Sequence, residues 1–140
     1  MRKYEFTGRT MSLYGHMLKQ IVATMSFRDV VSGDVGGWIE NENNLSHEDD
    51  AWIRDDAELY GNAKVCAASH VLVIGAIGSR DDFTTFYRDK DGGITVNCGC
   101  FNGKIDKFIE QVRRTHGDNR HALVYLAAAE FAKTSIDLSL

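Results

Sequence analysis

Between Asp50 and Ser79 the chain repeats itself every six residues. An aliphatic residue recurs at Ile53, Leu59, Val65, Val71 and Ile77. A small residue stands two places earlier each time, at Ala51, Ala57, Ala63, Ser69 and Gly75. A period of six matches neither a helix, at about 3.6 residues, nor a flat strand, at about two. It matches a chain that bends after every short strand. Such a chain coils into a β-helix, with the aliphatic residue filling the axis and the small one allowing the corner.

The repeat resembles the hexapeptide-repeat family, most closely in Gly61-Asn62-Ala63-Lys64-Val65. The resemblance implies a left-handed parallel β-helix of triangular cross-section. It covers about five hexads, enough for about two coils. In that family the residue after the aliphatic one is usually small or acidic. Here it is Arg54, Tyr60, Cys66, Leu72 and Gly78, so the outer face departs from the pattern. Ile39 and Leu45 are also six apart and read as an irregular first rung. Eight residues then separate Leu45 from Ile53, a two-residue insertion near Ser46-His47.

The flanks read differently. Lys3 to Thr7 alternates as a strand, Gly8-Arg9-Thr10 breaks it, and Leu18 to Met25 is rich in strand formers. An N-terminal hairpin is expected, because a first rung otherwise exposes unpaired backbone. The glycines of Gly33-Asp34-Val35-Gly36-Gly37-Trp38 read as a tight turn, since their spacing fits no common phosphate-binding motif. After Ile77 comes a loop, then two strands, Phe83 to Arg88 and Ile94 to Phe101, joined by the turn Asp89 to Gly93. A helix follows from Lys104 to His116, with Ile105, Phe108, Ile109 and Val112 as its apolar stripe and Gly117 as its cap. A last helix from about Arg120 to Lys133, capped by Asp118 or Asn119, is expected to face inward with Leu123, Leu126, Ala127 and Phe131. The expected fold is mainly β with an α appendage. It comprises an N-terminal β cap over 1–32, β-helix coils over 33–79 and a ββαα cap over 80–140, all in one domain.

Composition narrows the function. No run of about 18 apolar residues exists, so no membrane span is expected. The first residues lack the apolar core of a signal peptide. An odd three cysteines, two of them one residue apart, argue against a secreted disulfide framework and for a reducing cytoplasmic setting. A formal net charge of −4 argues against a general nucleic-acid-binding surface. From Glu40 to Glu58 the chain is acidic, with Arg54 the lone basic residue. Such residues serve turn geometry at corners. They also read as a stripe, Glu48, Asp49, Asp50, Asp55, Asp56 and Glu58, that meets a basic groove on a partner.

Candidate chemistry is sparse. His70 lies on the coil, in a position expected to point outward, and His47 lies just before the coil. Cys98 and Cys100 fall on one face of an expected strand. With His116 they could bind zinc or form a thiol–imidazole pair, although buried thiols are the commoner use. Ser79 and Arg80, with His116, are candidates for holding an anionic ligand. No catalytic residue, metal or cofactor is assigned.

Seven stretches together resemble a family of small bacteriophage and prophage proteins: Gly36–Glu40, Asn44–Glu48, Ala51–Val65, Ile77–Arg80, Thr84–Tyr87, Cys98–Phe101 and Thr115–Asn119. The resemblance carries no function of its own; together with the small size and the lack of a convincing catalytic constellation it leads to the expectation of a phage-type binding protein without enzyme activity. The expected role is antagonism of a host defence system, anti-CRISPR-like, in the cytoplasm of an infected bacterium. The partner would be a host protein or nucleoprotein complex met through the acidic stripe, with no direct nucleic-acid contact. Two alternatives stand beside it: a hexapeptide-class acyltransferase with His70 or His47 as base, and a structural phage component whose exposed coil ends stack. A small core predicts a homodimer or homotrimer in each case.

Overall fold

The computed structural model describes residues 2–54, 56–78 and 80–139. Two four-stranded sheets and two helices make up a mainly β protein. Strands β1, Tyr4–Leu13, and β2, His16–Ala23, form the expected antiparallel hairpin. Its turn is Tyr14-Gly15, both residues at positive φ. Gly8-Arg9-Thr10 does not end the first strand. It sits where the register of β1 shifts, which is a bulge with Gly8 at φ 98°.

Strand β3, Val35–Ile39, runs antiparallel to β2 and parallel to β4, Glu58–Leu59. Ile39 pairs with Leu59, and Leu45 pairs in parallel with Val65, so the stacking offset is twenty residues in both places. That offset is three hexads plus the insertion after Leu45. The inserted residues therefore add to the offset without breaking the pairing of Ile39 with Leu59 or of Leu45 with Val65. Ile39, Leu45, Ile53, Leu59 and Val65 are all buried in one core, together with Ala51, Ala57 and Ala63. The aliphatic and small positions of the repeat do what their period requires up to this point.

Gly36 and Gly37 are a correction. They lie inside β3, not in a turn. A Cβ on Gly37 would stand 2.6 Å from the Ala57 carbonyl oxygen, and one on Gly36 would stand 2.6 Å from the Trp52 ring. The pair lets the second rung approach closely enough for the Gly37 N–H to donate to the Ile53 carbonyl at 2.9 Å.

Among the described residues the parallel pairs lie between Trp38 and Val65. Strand β5, Val71–Ile77, turns away and pairs antiparallel with β6, Asp82–Arg88. The run Val71-Leu72-Val73-Ile74 is continuous, and Leu72, Ile74 and Ile77 pack on a second core with strand alternation. Of the last two aliphatic positions, Val71 still packs against the first core, while Ile77 packs on the second. Beyond Arg88 the chain caps the lower rung: Ala63 bridges Asp89, and Lys90 N–H donates to the Asn62 carbonyl at 2.9 Å. With β2 above and this segment below, both faces of the stacked rungs are paired.

The second sheet runs β5-β6-β7-β8, with β7 at Ile94–Cys98 and β8 at Phe101–Lys104. Where two strands were expected after residue 80 there are three, because Gly99, at φ 57°, turns the chain between Cys98 and Phe101. The Asp89 carboxylate builds the preceding turn. It accepts from Gly93 N–H at 3.1 Å, Thr95 Oγ1 at 2.6 Å and Lys104 Nζ at 2.8 Å. Burial would raise its pKa, but these donors outweigh it and hold the carboxyl below the usual range.

Helices α1, Ile105–His116, and α2, Arg120–Ser135, cover this sheet. α1 buries Ile105, Phe108 and Val112 as its stripe requires, and Gly117 caps it. Asn119 caps α2 by accepting from Ala122 N–H at 3.0 Å. Of the residues expected to face inward from α2, Leu126 packs on the core but Leu123, Ala127 and Phe131 do not. Ala122, Tyr125, Ala128, Ala129 and Ala132 are buried, while Leu123 and Phe131 are 63% and 56% exposed. Alanines bring the helix close to its neighbours, and that wins over burying the two larger side chains. No helix among the described residues is long and apolar enough to cross a membrane.

Candidate functional site

A cavity of about 200 Å³ opens where the ends of β5, β6 and β7 meet α1 and α2. Ile77, Phe101, Phe108 and Val112 supply its apolar wall. Phe108 is held edge-on by Phe86 and Tyr125, at 5.9 and 5.8 Å between ring centroids. Gly78, at φ 82°, gives room to the Tyr125 hydroxyl, since a Cβ there would lie 1.7 Å from that oxygen. The wall is therefore built from both helices and the sheet.

Polar groups converge on the same space. Buried Thr84 donates from Oγ1 to Cys98 Sγ at 3.4 Å. Cys98 ends β7 and Cys100 lies in the turn after it, so the two do not share a strand face as expected. His116, at the end of α1, lies 5.8 Å from the Tyr125 ring and 5.6 Å from His121. Arg80 and Asp82 come from the loop and strand opposite. The structure thus brings together Arg80, His116, Cys98 and Cys100. Ser79 lies outside the described residues. No group of three or more His, Cys, Asp or Glu side chains among the described residues could hold a metal ion. Asp82, Thr84, Gln111 and Tyr125 also line the cavity and were missed. No spacing signal connects them, because they meet only when the helices fold over the sheet.

The coil histidines are occupied. His47 Nδ1 accepts from Lys3 N–H at 3.1 Å and its Nε2 bonds Glu42 at 2.8 Å, with the ring stacked on Tyr4 at 3.9 Å. Both ring nitrogens are used. His70 does not point outward: it is 1% exposed, accepts from Cys66 N–H at 3.1 Å and lies beside Arg88. Burial, and then Arg88, lower its pKa and keep the ring neutral. A third histidine, His16, bonds Glu40 at 2.8 Å, and Glu40 in turn accepts from Gly61 N–H at 2.9 Å. This chain ties the hairpin to both rungs. Its members are too far apart in sequence to be foreseen as partners.

The acidic stripe divides. Asp49 is an internal counter-ion, receiving the buried Lys3 ammonium at 3.3 Å. Lys3 also donates to the Ala51 carbonyl. Glu58 is half-buried, and burial, then Asp82 and Asp56, push its carboxyl up to about 7. Glu48, Asp50 and Asp56 are exposed, with Asp50 3.7 Å from Arg28. Asp55 lies outside the described residues.

The described residues thus form two four-stranded sheets, one of them covered by two helices, with a cavity of mixed polar and apolar lining at one end of that second sheet. Compared with curated proteins, the chain is 38% identical over 56 residues to an uncharacterised acetyltransferase of Escherichia coli (strain K12), YdcK. Those residues are 39% of this chain and 17% of that protein, so the chain spans a small part of its relative. No family model matches the chain. No solved structure matches it either.

Proposed function

We propose that this protein is an acyltransferase of the hexapeptide kind, with its two rungs forming a short left-handed coil. In this reading it transfers an acyl group from a thioester donor to a small acceptor held in the cavity. The convergence of Arg80, His116 and the cysteines on one small cavity carries the reading, and the similarity to an acetyltransferase supports it. The coil histidines are satisfied by internal bonds, so the base comes from the cavity. His116 takes the proton as the acceptor's nitrogen or oxygen attacks the thioester carbonyl. The new C–N or C–O bond forms, the C–S bond breaks, and the departing thiolate takes a proton from the imidazolium. At about 200 Å³ the cavity is below the usual range of roughly 300–1,000 Å³ for drug-sized ligands, which suits an acceptor and not a coenzyme.

Chromatography of acetyl-coenzyme A incubated with the protein and a panel of small amines and hydroxy compounds tests this. Acetyl transfer that falls roughly 100-fold or more in His116→Ala, with folding intact, is expected. No consumption of acetyl-coenzyme A, together with a flat calorimetric trace, would overturn it.

A further inference from the structure

We infer that the cavity selects a small zwitterion with an apolar body, of the chemical class of the apolar α-amino acids. The inference rests on the cavity being the acceptor site. Arg80 and Asp82 both line it, and they carry opposite charges. Arg80 is exposed and has no ion-pair partner among the described residues. Among the described residues, Asp82 accepts only from the N–H of its own neighbour Phe83, at 2.8 Å, and pairs with no cation. Asp81 separates them in a turn at φ 48°, and the two do not pair with each other. Such charges are tolerable at a wet cavity mouth, and they become selective when a ligand displaces the water. A bare anion would meet Arg80 and be repelled by Asp82. A bare cation would meet the reverse. A ligand bearing a carboxylate and an ammonium satisfies both. Ile77, Phe101, Phe108 and Val112 beyond them provide an apolar surface for one side chain. At about 200 Å³ the space matches a ligand of amino-acid size.

Calorimetry on the intact chain with L-leucine, leucine amide and N-acetyl-leucine provides the test. Leucine binding at least tenfold tighter than either analogue is expected. Arg80→Met should abolish the preference for leucine over its amide. Asp82→Asn should abolish the preference over N-acetyl-leucine. Both positions are exposed, so both variants should keep the wild-type circular dichroism. Equal binding of all three compounds, or of none, overturns the inference. If none binds while acetyl-coenzyme A is still consumed with another acceptor, the inference alone falls. If leucine binds as expected and no acetyl-coenzyme A is consumed, the inference holds and the acyltransferase reading falls.

Discussion

Glu58 shows what a single residue does when the fold moves its surroundings. In sequence it is one more acid in an acidic run. In the structure it stands half-buried on β4 near Asp82 and Asp56, and its carboxyl is pushed up to about 7. An unfolded glutamate titrates near 4.3. The folded state therefore holds the proton more tightly, and stability is lost as pH rises through this window. Glu58→Gln should be about 1–2 kcal/mol more stable than wild type at pH 8 after solvent screening, and equal to it at pH 4. Urea unfolding at the two pH values decides this. Gly37 argues from sterics. Because a Cβ would meet the Ala57 carbonyl oxygen, Gly37→Ala should cost about 1–3 kcal/mol and lower Tm by several degrees. A thermal melt that matches wild type would show that the rungs can move apart.

At the scale of elements, α2 separates pattern from packing. Its sequence is apolar on two faces, and hydrophobicity by itself favours the face with Leu123, Leu126, Ala127 and Phe131, of which only Leu126 packs on the core. The structure buries the alanine face, because only small side chains allow the approach that Tyr125 and Ile136 complete in the second core. Leu123→Lys and Phe131→Glu should each change stability by less than about 0.5 kcal/mol. Ala129→Leu should cost about 1–3 kcal/mol through overpacking. Chemical denaturation of the three variants checks the assignment, and a reversed order would restore the face read from the sequence. The same competition explains β5. Its hexad spacing is intact, but a run of four apolar residues finds a strand partner in β6 and an apolar layer in the helices.

On the scale of the whole molecule, β6 joins two cores. Phe86 faces the helix-covered core, and Tyr87 enters the core of the rungs, where its hydroxyl donates to the Tyr60 carbonyl at 3.3 Å. Neither half can open without exposing a large aromatic on this strand. Unfolding should therefore be a single transition. Trp38 and Trp52 report the rungs by fluorescence, and helical circular dichroism reports the other half, so the two midpoints should coincide. Separate midpoints would show that the halves unfold independently.

The six-residue period marked in advance which aliphatic and small residues between Ala51 and Val65 are buried, and the two-residue insertion is readable as the difference between eighteen and the observed offset of twenty. The sequence by itself also determined the hairpin, α1 and both helix caps, since alternation, a helical stripe and a capping asparagine act locally. Of the candidate site, Arg80, His116 and the two cysteines were legible as chemistry-bearing residues, but not as neighbours. Tertiary structure decided where the coil stops, which face of α2 is buried, which histidines are spent on internal bonds, and that Arg80 and Asp82 share a cavity with His116. Each of these is a choice between arrangements that local patterns satisfy equally well. Close packing and the pairing of buried polar groups settle them, and both depend on residues far apart in the chain.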